Sequence, residues 1–186
     1  MSKNSLKKYR EKRDFFRTPE PEGAHTRAHK LPLFVIQKHD ATSLHYDFRL
    51  EEAGVLKSWA IPKGPSTDPH DKRLALMTED HPLDYAYFEG VIPEGNYGAG
   101  QVLVWDLGIF RNLREPLSLT DSIDEGKVEV WLEGKKLHGS YALIKTHFQP
   151  NGWLFFKMKD EEAHPGNITK EQPESVLSNK TIEEIE

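Results

Sequence analysis

Two histidines, an aspartate and an arginine carry the first hint of chemistry in this sequence. In Leu44-His45-Tyr46-Asp47-Phe48-Arg49-Leu50 polar and apolar residues alternate, so an extended chain sets His45, Asp47 and Arg49 on one face and Leu44, Tyr46, Phe48 and Leu50 on the other. Side chains two apart on a strand stand about 6.6 Å apart at their bases, close enough for His45 and Asp47 to converge on one ion. Arg49, one step further, can hold an anion bound to that ion. His39 lies just past a preceding strand and can supply a third ligand. Two imidazoles and a carboxylate with open positions suit a catalytic divalent metal. The same alternation also describes an ordinary solvated strand face, and spacing alone leaves both readings open.

A second group follows in Thr78-Glu79-Asp80-His81-Pro82-Leu83-Asp84-Tyr85. Pro82 stiffens it into an ordered loop after a strand. There His81 can give a proton or a hydrogen bond to a reacting phosphate, with Tyr85 as a further donor. The alternative is that His81 caps a turn and Tyr85 packs. Lys63, at a Gly-Pro turn, and Arg73, opening a strand, read either as phosphate cations or as solubilising charges. Gly95-Asn-Tyr-Gly98-Ala-Gly100 is neither a P-loop nor a dinucleotide fingerprint and leads into a strand, so it reads as a loop.

The elements that must position these groups are mostly strands. From Leu33 the period is two, and candidate strands fall at 33–38, 44–50, 55–61, 73–78, 101–106, 109–113, 127–133, 139–147 and 153–159, punctuated by Gly, Pro and Asn turns. So many short strands predict an all-β fold, and a small closed or nearly closed barrel removes their edges. Residues 1–30 read as a basic N-terminal arm in which Leu6, Tyr9, Arg13 and Phe16 fall at helical spacing before Pro19. Residues 31–160 read as the barrel. Residues 161–186 lose periodicity and read as an acidic tail, ending in a possible helical turn where Thr181-Ile-Glu-Glu184 fits a capping box.

Composition narrows the classes. The chain has 186 residues, enough for one domain with a real core. Its lack of cysteine excludes disulfides, thiolate metal sites and a cysteine nucleophile. The longest apolar stretch, Leu31 to Ile36, is far short of a membrane span, and no apolar signal region opens the chain, so a soluble, cytoplasmic protein with no membrane partner is expected. The net charge of −5 hides a basic first thirty residues and an acidic end. Such a balance disfavours coating nucleic acid by bulk charge but permits gripping one phosphate or a strand end.

Taken together, several long motifs resemble one family. They are Phe34-Val-Ile-Gln-Lys-His39 with the 44–50 strand, Leu56-Lys-Ser-Trp-Ala-Ile-Pro-Lys63-Gly-Pro-Ser66, Asp80-His81-Pro-Leu-Asp-Tyr85, and Phe88-Glu-Gly-Val-Ile-Pro-Glu-Gly-Asn-Tyr-Gly-Ala-Gly100. The N-terminal Lys12-Arg13-Asp14-Phe15 and Thr18-Pro-Glu20-Pro, and the C-terminal Ser175-Val-Leu and Thr181-Ile-Glu-Glu-Ile185, extend the likeness over nearly the whole chain. The chain resembles the 3′-phosphoesterase domain of DNA ligase D from prokaryotic non-homologous end joining.

That resemblance implies a small barrel with a surface groove and a phosphoesterase dependent on manganese or another divalent transition metal. The family removes a 3′-terminal ribonucleoside from a DNA primer-template and then the remaining 3′-phosphate. By motif, His39, His45 and Asp47 match the metal ligands, and Arg49, His81 and Tyr85 match residues around the scissile phosphate. Arg13, Asp14 and Glu20 match functional N-terminal positions expected to fold the arm over the groove, and Lys63 and Arg73 match further basic positions. The partners implied are DNA 3′ ends, an end-joining ligase and polymerase, and a Ku-type end-binding protein. The chain leaves no room for ligase and polymerase domains, so a stand-alone or excised form is expected. A general metal-dependent nuclease or phosphatase, and a non-catalytic end-joining adaptor stabilised by metal, are the competing readings.

Overall fold

The computed structural model describes residues 5–23 and 31–186; the first residues of the expected basic arm and its stretch 24–30 lie outside the described residues. Nine strands form one antiparallel sheet: β1 (Leu33–Asp40), β2 (Leu44–Glu52), β3 (Val55–Ile61), β4 (Arg73–Pro82), β5 (Gly90–Ile92), β6 (Gly100–Asn112), β7 (Lys127–Gly134), β8 (His138–Lys145) and β9 (Gly152–Lys157). The sheet runs β1-β2-β3-β4-β9-β8-β7-β6, and β1 pairs with β6, which closes an eight-stranded barrel and leaves β5 as an extra strand on β6. The all-β barrel expected from the short alternating strands is therefore the fold. Short helices flank it: α1 (Lys7–Glu11), α2 (Leu119–Glu125) and α3 (Ile168–Glu171), with 3₁₀ turns at Leu83–Tyr87 and Ile182–Glu184. Among the described residues, no helix is long and apolar enough to cross a membrane.

Alternation decides what fills the barrel. Phe34 and Ile36 of β1, Tyr46, Phe48 and Leu50 of β2, and Trp59 and Ile61 of β3 point into one buried cluster with Trp105, Tyr141, Trp153 and Phe155. Phe48 packs 4.7 Å from Phe155, and Tyr141 stacks on Phe155 at 5.2 Å, so aromatic volume supplies much of the core.

Four details differ from the sequence reading. The segment around His81, expected as a loop after a strand, is the end of β4, where His81 pairs with Leu56 and Pro82 with Val55 at the strand's last residues. The strands expected at 101–106 and 109–113 are one long strand, β6. Its apparent break is Gly108, where an added Cβ would stand 2.0 Å from the carbonyl oxygen of Glu133, so the glycine marks a close crossing with β7 and not a turn. Strand β5 carries no alternation and gave no signal. In the N-terminal segment the helix ends at Glu11; Leu6 and Tyr9 are buried, but Phe16 is fully exposed beyond it.

Residues 160–186, which carry no period, nevertheless place Ile168, Ile182 and Ile185 in the barrel core. Trp105 Nε1 donates to the carbonyl of Gln172 at 2.8 Å, and the expected capping box joins Thr181 and Glu184. Isolated isoleucines delivered by single helical turns leave no periodicity to read.

Candidate active site

The other face of the same wall is polar, and it is also buried. Pairing of His39 with His45, of Gln37 and Ala60 with Asp47, and of Ser58 with Arg49 places these side chains on neighbouring strands of the outer face. Two pieces cover that face. One is α1 with the segment through Glu20; the other is the 3₁₀ turn Leu83–Tyr87. Tyr9, Val35, Leu56, Leu83, Tyr85, Ala86 and Val104 form a second, smaller apolar cluster outside the barrel, and it docks both pieces. What remains open is a cleft of about 550 Å³, lined by Arg13, His39, His45, Asp47, Arg49, His81 and Tyr85 among others.

His39, His45 and Asp47 each point one ligand atom inward, and these atoms lie within 4.8 Å of one another. His39 Nε2 donates to the carbonyl of Gly98 at 2.6 Å, which turns Nδ1 toward Asp47 Oδ2, 3.7 Å away. Gly98 sits at φ 73, and a side chain there would come 3.3 Å from the His39 ring, so glycine lets this loop lie against the imidazole. His45 Nδ1 donates to the carbonyl of Ser43 at 3.0 Å and presents Nε2 to Asp47 Oδ2 at 3.2 Å. Backbone carbonyls thus set both rings, the usual arrangement of histidines that ligate a metal. Two imidazole nitrogens and one carboxylate fit a divalent transition metal, so this cluster could hold one.

Charge supports that reading. Burial opposes ionisation of Asp47, but Arg49 and then His39 and His45 hold its carboxyl well below the usual range. Burial also works against a charge on His45, yet its hydrogen bond to Asp47 and the charge of that carboxylate raise its pKa. Without a cation, a proton between His45 and Asp47 balances the site, and a bound metal ion would displace it.

Beside the cluster lie the cations. Arg49 is 3% exposed, and its Nη2 lies 3.5 Å from Asp47 Oδ2. Arg49 Nε donates to Gln37 Oε1 at 2.7 Å, while Gln37 Nε2 donates to the carbonyls of Tyr85 and Phe88. Arg49 Nη1 is buried with no hydrogen-bond partner, an N–H in want of an acceptor such as a phosphoryl oxygen. Arg13 lies over the Tyr9 ring at 4.0 Å, donates from Nε to Glu20 at 2.8 Å, and reaches Glu79 at 3.6 Å. The arm is therefore tied across the cleft by ion pairs.

His81 Nδ1 donates to the carbonyl of Glu79 at 3.0 Å, leaving Nε2 as the nitrogen with a free lone pair. Burial, with the guanidinium groups of Arg49 and Arg13, holds its pKa well below the ordinary value, so the ring is neutral. Tyr85 donates its hydroxyl to Glu20 at 2.7 Å, and burial followed by Glu20 pushes its pKa well up. Its proton is committed to the carboxylate, and its ring lies 4.9 Å from the Arg49 guanidinium.

Of the residues singled out from the sequence, the structure gathers His39, His45, Asp47, Arg49, His81, Tyr85 and Arg13 in one cleft, with Glu20 behind them. It does not bring in the other three. Asp14 accepts the Phe16 N–H at 3.1 Å and shapes the turn after α1. Arg73 lies 3.5 Å from Asp71, and Lys63 occupies the turn after β3; neither lines the cleft. Gln37, Glu79 and Tyr97 are site residues that the sequence reading missed. Gln37 was legible, because it shares the alternation of His39. Glu79 was not, because a register shift in the β3–β4 pairing breaks the alternation before it.

Known proteins share this arrangement of sequence. The profile of the family described as DNA Ligase D 3'-phosphoesterase domain matches residues 37–145. The multifunctional non-homologous end joining protein LigD of Pseudomonas aeruginosa is 48% identical over 188 residues, covering 97% of this chain and 22% of that protein. LigD of Mycobacterium bovis is 44% identical over 158 residues, covering 84% of this chain and 20% of its own length. LigD of Mycolicibacterium smegmatis is 43% identical over 163 residues, covering 86% and 21%. The chain spans about a fifth of the length of these relatives.

Proposed function

The chain belongs to the DNA ligase D 3′-phosphoesterase family, and on that premise we propose that it is a manganese-dependent 3′-end-healing phosphoesterase. It removes a 3′-terminal ribonucleoside from a primer and then the remaining 3′-phosphate, leaving a 3′-OH. The observation that carries this reading is the pairing of the His39–His45–Asp47 donor set with the buried, unpartnered Nη1 of Arg49. One half suits a cation and the other an anion, which together describe a metal-assisted phosphate site.

His39, His45 and Asp47 would hold the metal, which when bound supplies Lewis-acid stabilisation of charge on a phosphoryl oxygen. The protein's own groups do the rest. Arg49 donates from Nη1 to a second phosphoryl oxygen, with its plane fixed by Gln37 and its face supported by Tyr85. Arg13, pinned by Glu20 and Glu79, adds charge at the mouth. Neutral His81 takes the proton of the attacking water at Nε2, and the departing oxygen on the opposite side of phosphorus takes its proton from solvent as the phosphorus–oxygen bond breaks. Tyr9 and the 3₁₀ turn exclude bulk water behind these groups, which strengthens every interaction in the cleft.

A ligase, a polymerase and a Ku-type end-binding protein are the partners that would use the healed end, in the bacterial cytoplasm. The test is a labelled primer–template ending in a single 3′ ribonucleotide, incubated with and without manganese beside an all-DNA control. The expected result is metal-dependent conversion to a 3′-phosphate end and then to a 3′-OH. Equal cleavage of the control would make the protein a general nuclease. No cleavage, with metal still bound, would make it an adaptor.

A further inference from the structure

A second cavity of about 410 Å³ adjoins the cleft and shares Thr78, Glu79 and Tyr97 with it. The rest of its lining is Lys8, Lys12, Met77 and Asn151. Lys8 and Lys12 are four residues apart and so rise from the same face of the α1 segment, whose buried side is docked by Tyr9. Lys12 Nζ sits 3.1 Å from Glu79 Oε2 and 4.6 Å from the centre of the Tyr97 ring, so its charge is largely answered. Among the described residues Lys8 has no ion pair; Tyr97 is 50% exposed, with Arg13 also over its ring at 5.4 Å. A half-exposed tyrosine ring, a lysine without an ion pair and the Asn151 amide at a hairpin tip thus meet in one cavity beside a phosphate site.

We propose that this cavity is the subsite for the nucleotide on the retained, 5′ side of the scissile phosphate, a reading that rests on the phosphoesterase function above. The chemistry of the two sides of the cleft assigns the direction of the strand. A 3′-terminal nucleoside carries no phosphate beyond the one being cut, so its subsite needs no further cation. Leu44, Ala60, Pro62 and Leu76 line only the first cavity and offer it an apolar surface of that kind. The retained nucleotide carries its own 5′-phosphate, and the second cavity supplies Lys8 for it. Its base stacks on Tyr97, an interaction indifferent to base identity, as a repair enzyme acting on any end requires.

The test uses 5′-fluorescent oligonucleotides ending in a 3′-phosphate, which lack the departing nucleoside, and the full chain with Lys8→Ala or Tyr97→Leu. Binding is read by anisotropy across a salt series, and phosphate release is followed in parallel with manganese. Lys8→Ala is expected to raise Kd about fivefold to tenfold and to lower the slope of log Kd against log salt by about one. Tyr97→Leu is expected to raise Kd about tenfold with the slope unchanged. Lys8 is solvent-exposed on a surface helix, so its variant tests the subsite without endangering the fold. Kd within twofold of wild type for both variants, or no binding by wild type, overturns the subsite. Losses in binding by the variants alongside a wild type that releases no phosphate would uphold the subsite and overturn the phosphoesterase reading instead.

Discussion

The two faces of the β1–β4 wall are built from alternate residues of the same strands, and both are buried, yet they do opposite work. Tyr46, Phe48 and Leu50 point inward to a core of aromatic and aliphatic side chains. His45, Asp47 and Arg49 point outward to a cleft where Asp47 and Arg49 are 7% and 3% exposed. The inner face is buried because the barrel closes on it, and burial there is favourable for its apolar surface, with only the Trp59 Nε1 and the Tyr141 hydroxyl left unpaired among its described side chains. The outer face is buried only because the arm and the 3₁₀ turn lie over it, and burial there is costly for each charge. That cost is offset pair by pair, and the imbalance left over is useful. Asp47 is forced to stay ionised, His81 is forced to stay neutral, and one guanidinium N–H is left without an acceptor.

The largest effect expected of this contrast is on the inner face. Phe48→Ala removes a side chain packed on Phe155 and Trp59 and should cost about 3–5 kcal/mol of unfolding free energy, read by urea denaturation. Turnover per folded molecule should stay near wild type. A tenfold loss per folded molecule would mean that the faces are not independent.

On the outer face, Gln37→Leu removes the acceptor that fixes Arg49 Nε and should lower kcat/KM by about 10–100-fold. The carbonyls of Tyr85 and Phe88 lose their donor too, at about 1–3 kcal/mol in stability. If stability fell and kcat/KM did not, Gln37 would be a structural residue only.

A smaller effect belongs to pH. Folding depresses the pKa of His81, so below its ordinary value, about 6.5, the unfolded chain binds a proton that the folded chain refuses. Stability is therefore complete above that pH and falls as pH drops, by at most about 1.4 kcal/mol per pH unit. His81→Gln should flatten the stability profile between about pH 6.5 and 5.5, where most carboxylates stay ionised. An unchanged slope in that window would show that His81 ionises freely in the folded protein.

The same contrast explains what could be read in advance. Alternation along β2 separated Tyr46, Phe48 and Leu50 from His45, Asp47 and Arg49, because a strand leaves that pattern in the sequence. The spacing of His39 and His45 reflects a hairpin that pairs them directly across two strands. What was not legible depends on contacts made in three dimensions. Glu20 meets Tyr85 across 65 residues, and the register shift before Glu79 breaks the alternation that would have announced it. Lys63 and Arg73 show the converse: a cation beside a motif in sequence need not share its cleft. Ile168, Ile182 and Ile185 enter the core from helical turns too short to show a period.

The most direct test of the account is calorimetric titration of manganese into the metal-stripped protein and into its Asp47→Asn variant, at neutral pH and again near pH 5.5. One ion should bind per chain, more weakly at the lower pH as His45 holds its proton, and Asp47→Asn should abolish binding in a chain whose circular dichroism shows it still folded at the titration temperature. Undiminished manganese binding by Asp47→Asn, or none by the wild type, would contradict a metal site on the outer face of the barrel.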